Sequence, residues 1–239
     1  MKTSSFKKKI DMGQKNIAVL LAGSGVYDGS EIHEAVLTLL ALDEAGASYQ
    51  CVAPDKLQYH VVNHLTGEPT LESRNVLLES ARIARGKIKA LETVKAADFD
   101  ALIIPGGFGA AKNLNEWAIK GPEGAIDPAV KAFILDFLHF NKPIGAMCMG
   151  PTVLAKALEG SNYHPQLTVG STAAPSPYDI AAICAGMELL GSKAVMRTVQ
   201  QIEIDAAHKI VTAPCYMMEA SISDIRNNTK QLVAALLQL

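Results

Sequence analysis

Aromatic residues are scarce in this chain: Phe, Trp and Tyr make up 5% of its 239 residues, with a single tryptophan. A chain so poor in large rings fills its core with Ala, Val, Ile and Leu, which suits a sheet covered closely by helices. Neither sign of charge is in excess. The formal net charge is −2 with a pI near 6.3, which gives a nucleic acid no basic surface to bind. No apolar run approaches the roughly 18 residues of a membrane span. Residues 1–15, MKTSSFKKKIDMGQK, hold five lysines and no arginine, and they lack the apolar stretch of a secretion signal. They read as a solvated tail before one domain over 16–239. The four cysteines, Cys51, Cys148, Cys184 and Cys215, lie far apart without a CxxC. That spacing excludes a disulfide framework and fits free thiols in the cytoplasm. Asn227-Asn228-Thr229 matches a glycosylation sequon, which carries no meaning without a secretion signal. GxGxxG and Walker patterns are missing too, so no nucleotide cofactor is expected. His60 and His64 have H-x₃-H spacing but no further ligand nearby, and no metal is expected.

What is present is an alternation of short apolar runs and amphipathic helices. Asn16–Leu21 is a strand ended by AGSG. Ile32, Ala35, Val36, Leu39, Leu40 and Leu42 follow helical spacing, with Asp28 or Ser30 as the cap and Gly46 as the stop. Ser48–Ala53 is a second strand, so the chain opens as β-α-β. Val61-Val62 suggests a short strand or hairpin. Ser73–Arg85 is helical, Asp100–Pro105 a buried strand, and Asp127–Phe140 a capped amphipathic helix. Beyond these come a strand over Gln166–Gly170, a helix over Tyr178–Leu190 and a strand over Lys193–Met196. A hairpin over Gln201–Asp205 and Ile210–Ala213 leads to a final helix from near Tyr216. The expectation is one doubly wound, flavodoxin-like α/β domain, its sheet mostly parallel and helices on both faces.

The stretch Lys142–Pro151, KPIGAMCMGP, sets Cys148 between a buried strand and a helix start marked by Gly150-Pro151. A thiol on such a bend meets the free N–H groups and the positive end of the helix, which lower a cysteine pKa. Ala146 and Gly150 are small enough to allow the bend. A buried cysteine acting as a small hydrophobe fits these ten residues equally well. Doubly wound folds place their sites at the carboxyl ends of the strands. Three loops satisfy that condition: 23–34, Gly106–Gly109 and 146–150.

Several runs carry a resemblance: GVYDGSEIHEAVLTLLA, APDK, NHLTGE, SRNVL, DALIIPGGFGAAKNL, GAMCMGP and IVTAPCYM. Over residues 16–235 the chain resembles the ElbB-type, isoprenoid-biosynthesis-associated glyoxalases, also called sigma cross-reacting proteins. These belong with the PfpI-like proteases, the Parkinsonism-associated deglycases and the class I glutamine amidotransferase-like domains. The resemblance implies that Cys148 is a nucleophile and that a first-helix glutamate adjoins it: Glu34, with Glu31 one turn earlier as the alternate. It further implies an oxyanion and substrate site from Gly106, Gly107 and Met149, with His64 from the NHLTGE run in reach. Met149 stands where PfpI-like proteases carry histidine, which argues against proteolysis. His208 lacks the His-x-Glu spacing of amidotransferases. The resemblance to the ElbB-type glyoxalases then implies a cofactor-free glyoxalase acting on a small dicarbonyl such as methylglyoxal, as a homodimer. A thiol-based redox or carbonyl-stress sensor is the other reading.

Overall fold

The computed structural model describes residues 14–239; all but the end of the lysine-rich tail lies outside them. Lys15 already belongs to the domain, since its carbonyl accepts from Ser48 N–H at 2.9 Å and its Nζ donates to Leu237 O at 2.8 Å. The strands are β1 Asn16–Leu20, β2 Ser48–Ala53, β3 Val61–Val62, β4 Pro69–Thr70, β5 Ile88–Ala90, β6 Ala101–Ile104, β7 Ile144–Met147, β8 Gln166–Leu167, β9 Lys193–Ala194, β10 Glu203–Asp205 and β11 Ile210–Ala213. The helices are α1 Ile32–Glu44, α2 Val76–Ile83, α3 Trp117–Lys120, α4 Pro128–His139, α5 Gly150–Leu158, α6 Ile180–Leu189 and α7 Ile222–Leu236.

Seven strands form one sheet in the order β10-β11-β7-β6-β1-β2-β5. All neighbours are parallel except β10, which closes one edge antiparallel to β11. The strands at the centre, β1, β6, β7 and β11, are almost wholly apolar, Asn16 and the buried Thr212 apart, because both their faces are covered. From β1 the chain moves outward to β2 and β5, then returns to the other side of β1 for β6 and β7. Right-handed crossovers in opposite directions put α1 and α4 on opposite faces. α1 packs against α7 on one face and α4 against α5 on the other. The reversal between β1 and β6 opens a crevice at their carboxyl ends.

Some local expectations are corrected. The cap of α1 is Glu31, whose Oε2 accepts from Glu34 N–H at 2.7 Å. Asp28 and Ser30 are used elsewhere, accepting from Val62 N–H and Ala22 N–H. Edge strand β5 falls in GKIKALE, a run too polar to announce a strand. Gln166–Gly170 shortens to β8, which pairs with β9 in a separate two-stranded sheet. The last helix begins only after Ser221, where a Ser221–Asp224 capping box starts it. The residues before it, Cys215–Met217, make a tight 3₁₀ turn at the mouth of β11.

Candidate functional site

Cys148 sits between β7 and α5 with φ +55°, a left-handed backbone held by its surroundings. Its N–H donates to Ala213 O at 3.0 Å, which ties the bend to β11. Gly150 is required because a Cβ there would lie 2.6 Å from Ile104 O. Pro151 opens the helix behind it. The geometry goes beyond that of a core hydrophobe: Cys148 is only 5% exposed, yet its Sγ and Glu34 Oε2 lie 2.8 and 2.7 Å from the point a Gly106 Cβ would occupy, so thiol and carboxyl adjoin.

Glu34 is fully buried on α1. Its Oε2 accepts from Gly106 N–H at 3.0 Å and its Oε1 from Tyr216 N–H at 3.2 Å. How closely acid and thiol approach is read at Gly106. A methyl on that residue would stand 2.4 Å from Cys148 Cβ, 2.8 Å from Sγ and 2.7 Å from Glu34 Oε2. Gly107, at φ +93°, is equally constrained, with a Cβ falling 2.3 Å from Glu31 N.

Burial lifts the Glu34 carboxyl to about 8, helped by the charge of Glu31 and opposed by the Tyr216 N–H, the Cys148 thiol and the Gly106 N–H. At neutral pH the acid is therefore mostly protonated. Burial also pushes the Cys148 thiol well up, and a charged Glu34 pushes it further. The lowering expected from the helix N-terminus is overruled, because desolvation of a thiolate outweighs the helix-end contribution. With Glu34 protonated its share of the upward push vanishes, so acid and thiol form a neutral pair holding two protons.

Four of the expected residues, Cys148, Glu34, Gly106 and Gly107, converge. Gly106 is a holder: its N–H is committed to Glu34 and its carbonyl to Glu31 N–H at 2.9 Å. Glu31 caps α1 and raises Glu34 by its charge, and burial raises its own carboxyl as well. Met149 is buried as the N-cap of α5. His64 is held elsewhere, with Nδ1 on Val62 O at 3.0 Å and Nε2 accepting from Tyr27 N–H at 3.3 Å. It braces the loop before α1 and reaches the site only through Tyr27. His60 Nε2 faces Lys112 Nζ at 3.0 Å, so the two histidines do not converge on a common point. Among the described residues no group of three or more His, Cys, Asp or Glu could hold a metal ion.

His208 bonds Asp205 in the β10–β11 turn, at the amino ends of the strands and a sheet length away from Cys148. A Cys-His-Glu glutaminase triad is therefore not assembled with it. An open cleft lies next to this site, and several of its residues were not in the sequence reading. Tyr27, Tyr178 and Tyr216, with His33, Glu31 and Glu219, line an open cleft of about 500 Å³ beside the acid. The Tyr216 hydroxyl is 2.9 Å from His33 Nδ1. The run IVTAPCYM pointed at this turn without revealing that its useful group is a backbone N–H.

The DJ-1/PfpI family model matches residues 15–163. This chain belongs to the DJ-1/PfpI family. With it comes the class I glutamine amidotransferase-like superfamily. Among curated proteins it is similar to human glutamine amidotransferase-like class 1 domain-containing protein 3, mitochondrial, at 41% identity over 93% of this chain and 82% of that protein. The rat ES1 protein homolog, mitochondrial, matches at 41% over 93% and 83%. Among solved structures, an isoprenoid biosynthesis protein with amidotransferase-like domain from Ehrlichia chaffeensis superposes with a TM-score of 0.85. It is 33% identical over 94% of this chain and 98% of that one. Drosophila melanogaster DJ-1beta, at 16% identity over 95% of each chain and a TM-score of 0.55, shares the fold. No helix among the described residues is long and apolar enough to cross a membrane.

Proposed function

We propose that this protein is a cofactor-independent glyoxalase of the ElbB type, converting methylglyoxal or glyoxal to lactate or glycolate. The observation that carries the reading is the close approach of the buried Glu34 carboxyl and the Cys148 thiol across Gly106. Sulfur attacks the aldehyde carbon while Glu34 gives its proton to the aldehyde oxygen and takes the thiol proton, leaving a hemithioacetal. The Gly107 and Met149 N–H groups would stabilise the developing oxyanion. The aldehyde-derived C–H proton then moves through an enediol to the neighbouring carbon, with Glu34 as carrier. Water cleaves the resulting thioester to the hydroxy acid and the free thiol.

Methionine in place of histidine after the nucleophile supports carbonyl chemistry over proteolysis. A redox sensor needs an accessible thiolate, and the burial of Cys148 works against that second reading. The 33% identical Ehrlichia protein supports the tie to isoprenoid biosynthesis. A homodimer is the proposed assembly, supported by the exposed stripe Ile32, Val36 and Leu40 on α1. The cytoplasm is the proposed compartment, and fractionation tests it against the mitochondrial naming of the mammalian relatives. The deciding experiment follows lactate from methylglyoxal with purified protein. Cys148→Ala should abolish it, and lactate formation that survives this change refutes the mechanism.

A further inference from the structure

Both oxygens of Glu34 are held by backbone N–H groups, and the hold on Oε1 comes from the far end of the chain. Tyr216 N–H donates to it from the turn after β11. That turn would not adopt its shape unaided: Cys215, next to Tyr216, has φ +45°, a left-handed backbone that a residue with a side chain rarely takes. Asn228 on α7, fully buried, sits directly behind it. Its Oδ1 accepts from Cys215 N–H at 2.9 Å and its Nδ2 donates to Gln201 O at 2.8 Å. Both ends of one side-chain amide are thus spent on backbone, one of them on the strained residue. Ser176 Oγ closes the turn from the other side by donating to Met217 O at 2.6 Å.

We propose that Asn228 is a positioning residue of the site: by holding Cys215 in its left-handed conformation it aims the Tyr216 N–H at the Glu34 carboxyl. It thereby decides how firmly Glu34 keeps its proton beside Cys148. The inference rests on the role given to Glu34 above. The titratable groups facing Glu34 are Glu31 at the cap of α1, Cys148 from the bend after β7, Cys215 and Tyr216 from the turn after β11, and Tyr178 from the segment before α6, while His33 of α1 meets the Tyr216 hydroxyl. The Tyr216 N–H favours the charged carboxylate. Losing its aim makes Glu34 hold its proton to higher pH.

The test is the rate of Cys148 alkylation by iodoacetamide against pH, which requires no turnover of a dicarbonyl. An absence of lactate formation would overturn the glyoxalase reading and leave this one standing. In Asn228→Ala the Glu34-dependent midpoint should move up by about one pH unit, the scale of one hydrogen bond to a charged group. Thr229→Val, an equally buried neighbour touching Cys215 Sγ and Met147 Sδ, should leave the midpoint in place. In a Glu34→Gln background, Asn228→Ala should add nothing. The proposal is overturned if Asn228→Ala lowers the melting temperature without moving the midpoint, if Thr229→Val moves it as far, or if the shift persists without Glu34. The wild-type protein supplies a test that requires no variant. Although Cys215 lies in a turn, its amide should exchange as slowly as those of β11, and the Tyr216 amide shift should titrate together with Glu34. Fast exchange at Cys215, or a Tyr216 amide indifferent to Glu34, refutes the proposal.

Discussion

Replacing Glu34 by glutamine should change how stability depends on pH, more than it changes stability at any one pH. In the unfolded chain the carboxyl loses its proton near 4.5, and in the folded protein near 8. Between those values the native state holds a proton that the unfolded state has released, so stability falls as pH rises. The contribution is fully present below about pH 4.5 and is lost as pH rises through about 8. Each pH unit in that window is worth about 1.4 kcal/mol. The wild type should therefore lose roughly 3 kcal/mol from this group by pH 7 and roughly 4–5 kcal/mol by pH 8.5. Glutamine does not titrate. It has one oxygen for the two N–H donors of Gly106 and Tyr216, so one donor faces an NH₂ group, at a pH-independent cost of about 1–3 kcal/mol. The variant should be the less stable protein at low pH and the more stable one above about pH 8, with the curves crossing between. Urea unfolding of both proteins at several pH values between about 4.5 and 8.5 gives the difference directly. If that difference is flat with pH to within about 1 kcal/mol, Glu34 is not a buried, proton-holding acid, and the proton transfers assigned to it fall with it.

Two further substitutions probe the geometry. Gly106→Ala should cut the Cys148 alkylation rate and any turnover by about a hundredfold, the scale of an ångström-size displacement of reacting groups. Its methyl would land between acid and thiol, and activity near wild type would show that the pair tolerates being pushed apart. His208→Asn should leave turnover unchanged to within about twofold while removing the Asp205 contact. A large loss would bring histidine back into the chemistry.

The sheet and the position of the nucleophile were legible because both rest on local signals. Almost wholly apolar runs mark β1, β6, β7 and β11, and Gly150-Pro151 marks the bend. Asp127-Pro128 and the Ser221–Asp224 box mark helix starts in the same local way, although the second was passed over in favour of a start near Tyr216. What stayed hidden depends on partners distant in sequence. The thiol was expected to be acidic from its helix end, and burial reversed that, since desolvation comes from the whole packed fold and no ten-residue window carries it. Glu31 looked like a spare acid, but only the capped backbone shows its carboxylate spent on Glu34 N–H. Likewise His64 was expected within reach of the site, yet its ring is turned to Val62 and Tyr27. Tyr216 was missed because it contributes a backbone amide, a group every residue but proline possesses.

The site has a timing consequence. Glu34 and the amide that holds its Oε1 are separated by 182 residues. At roughly 5–20 residues per second of synthesis, on the order of ten seconds or more passes between the emergence of one and the other. Cys148 is made in between, and the helix that backs the turn, α7, comes last. Arg226 and Lys230 of that helix clasp Glu44 at the end of α1. Until they close, a nascent chain carries its nucleophile without the finished acid and without full burial. The pairing of thiol and acid is thereby reserved for completed molecules, and a ribosome product stopped short of α7 has a more open cysteine without its acid rather than a slower version of the whole site.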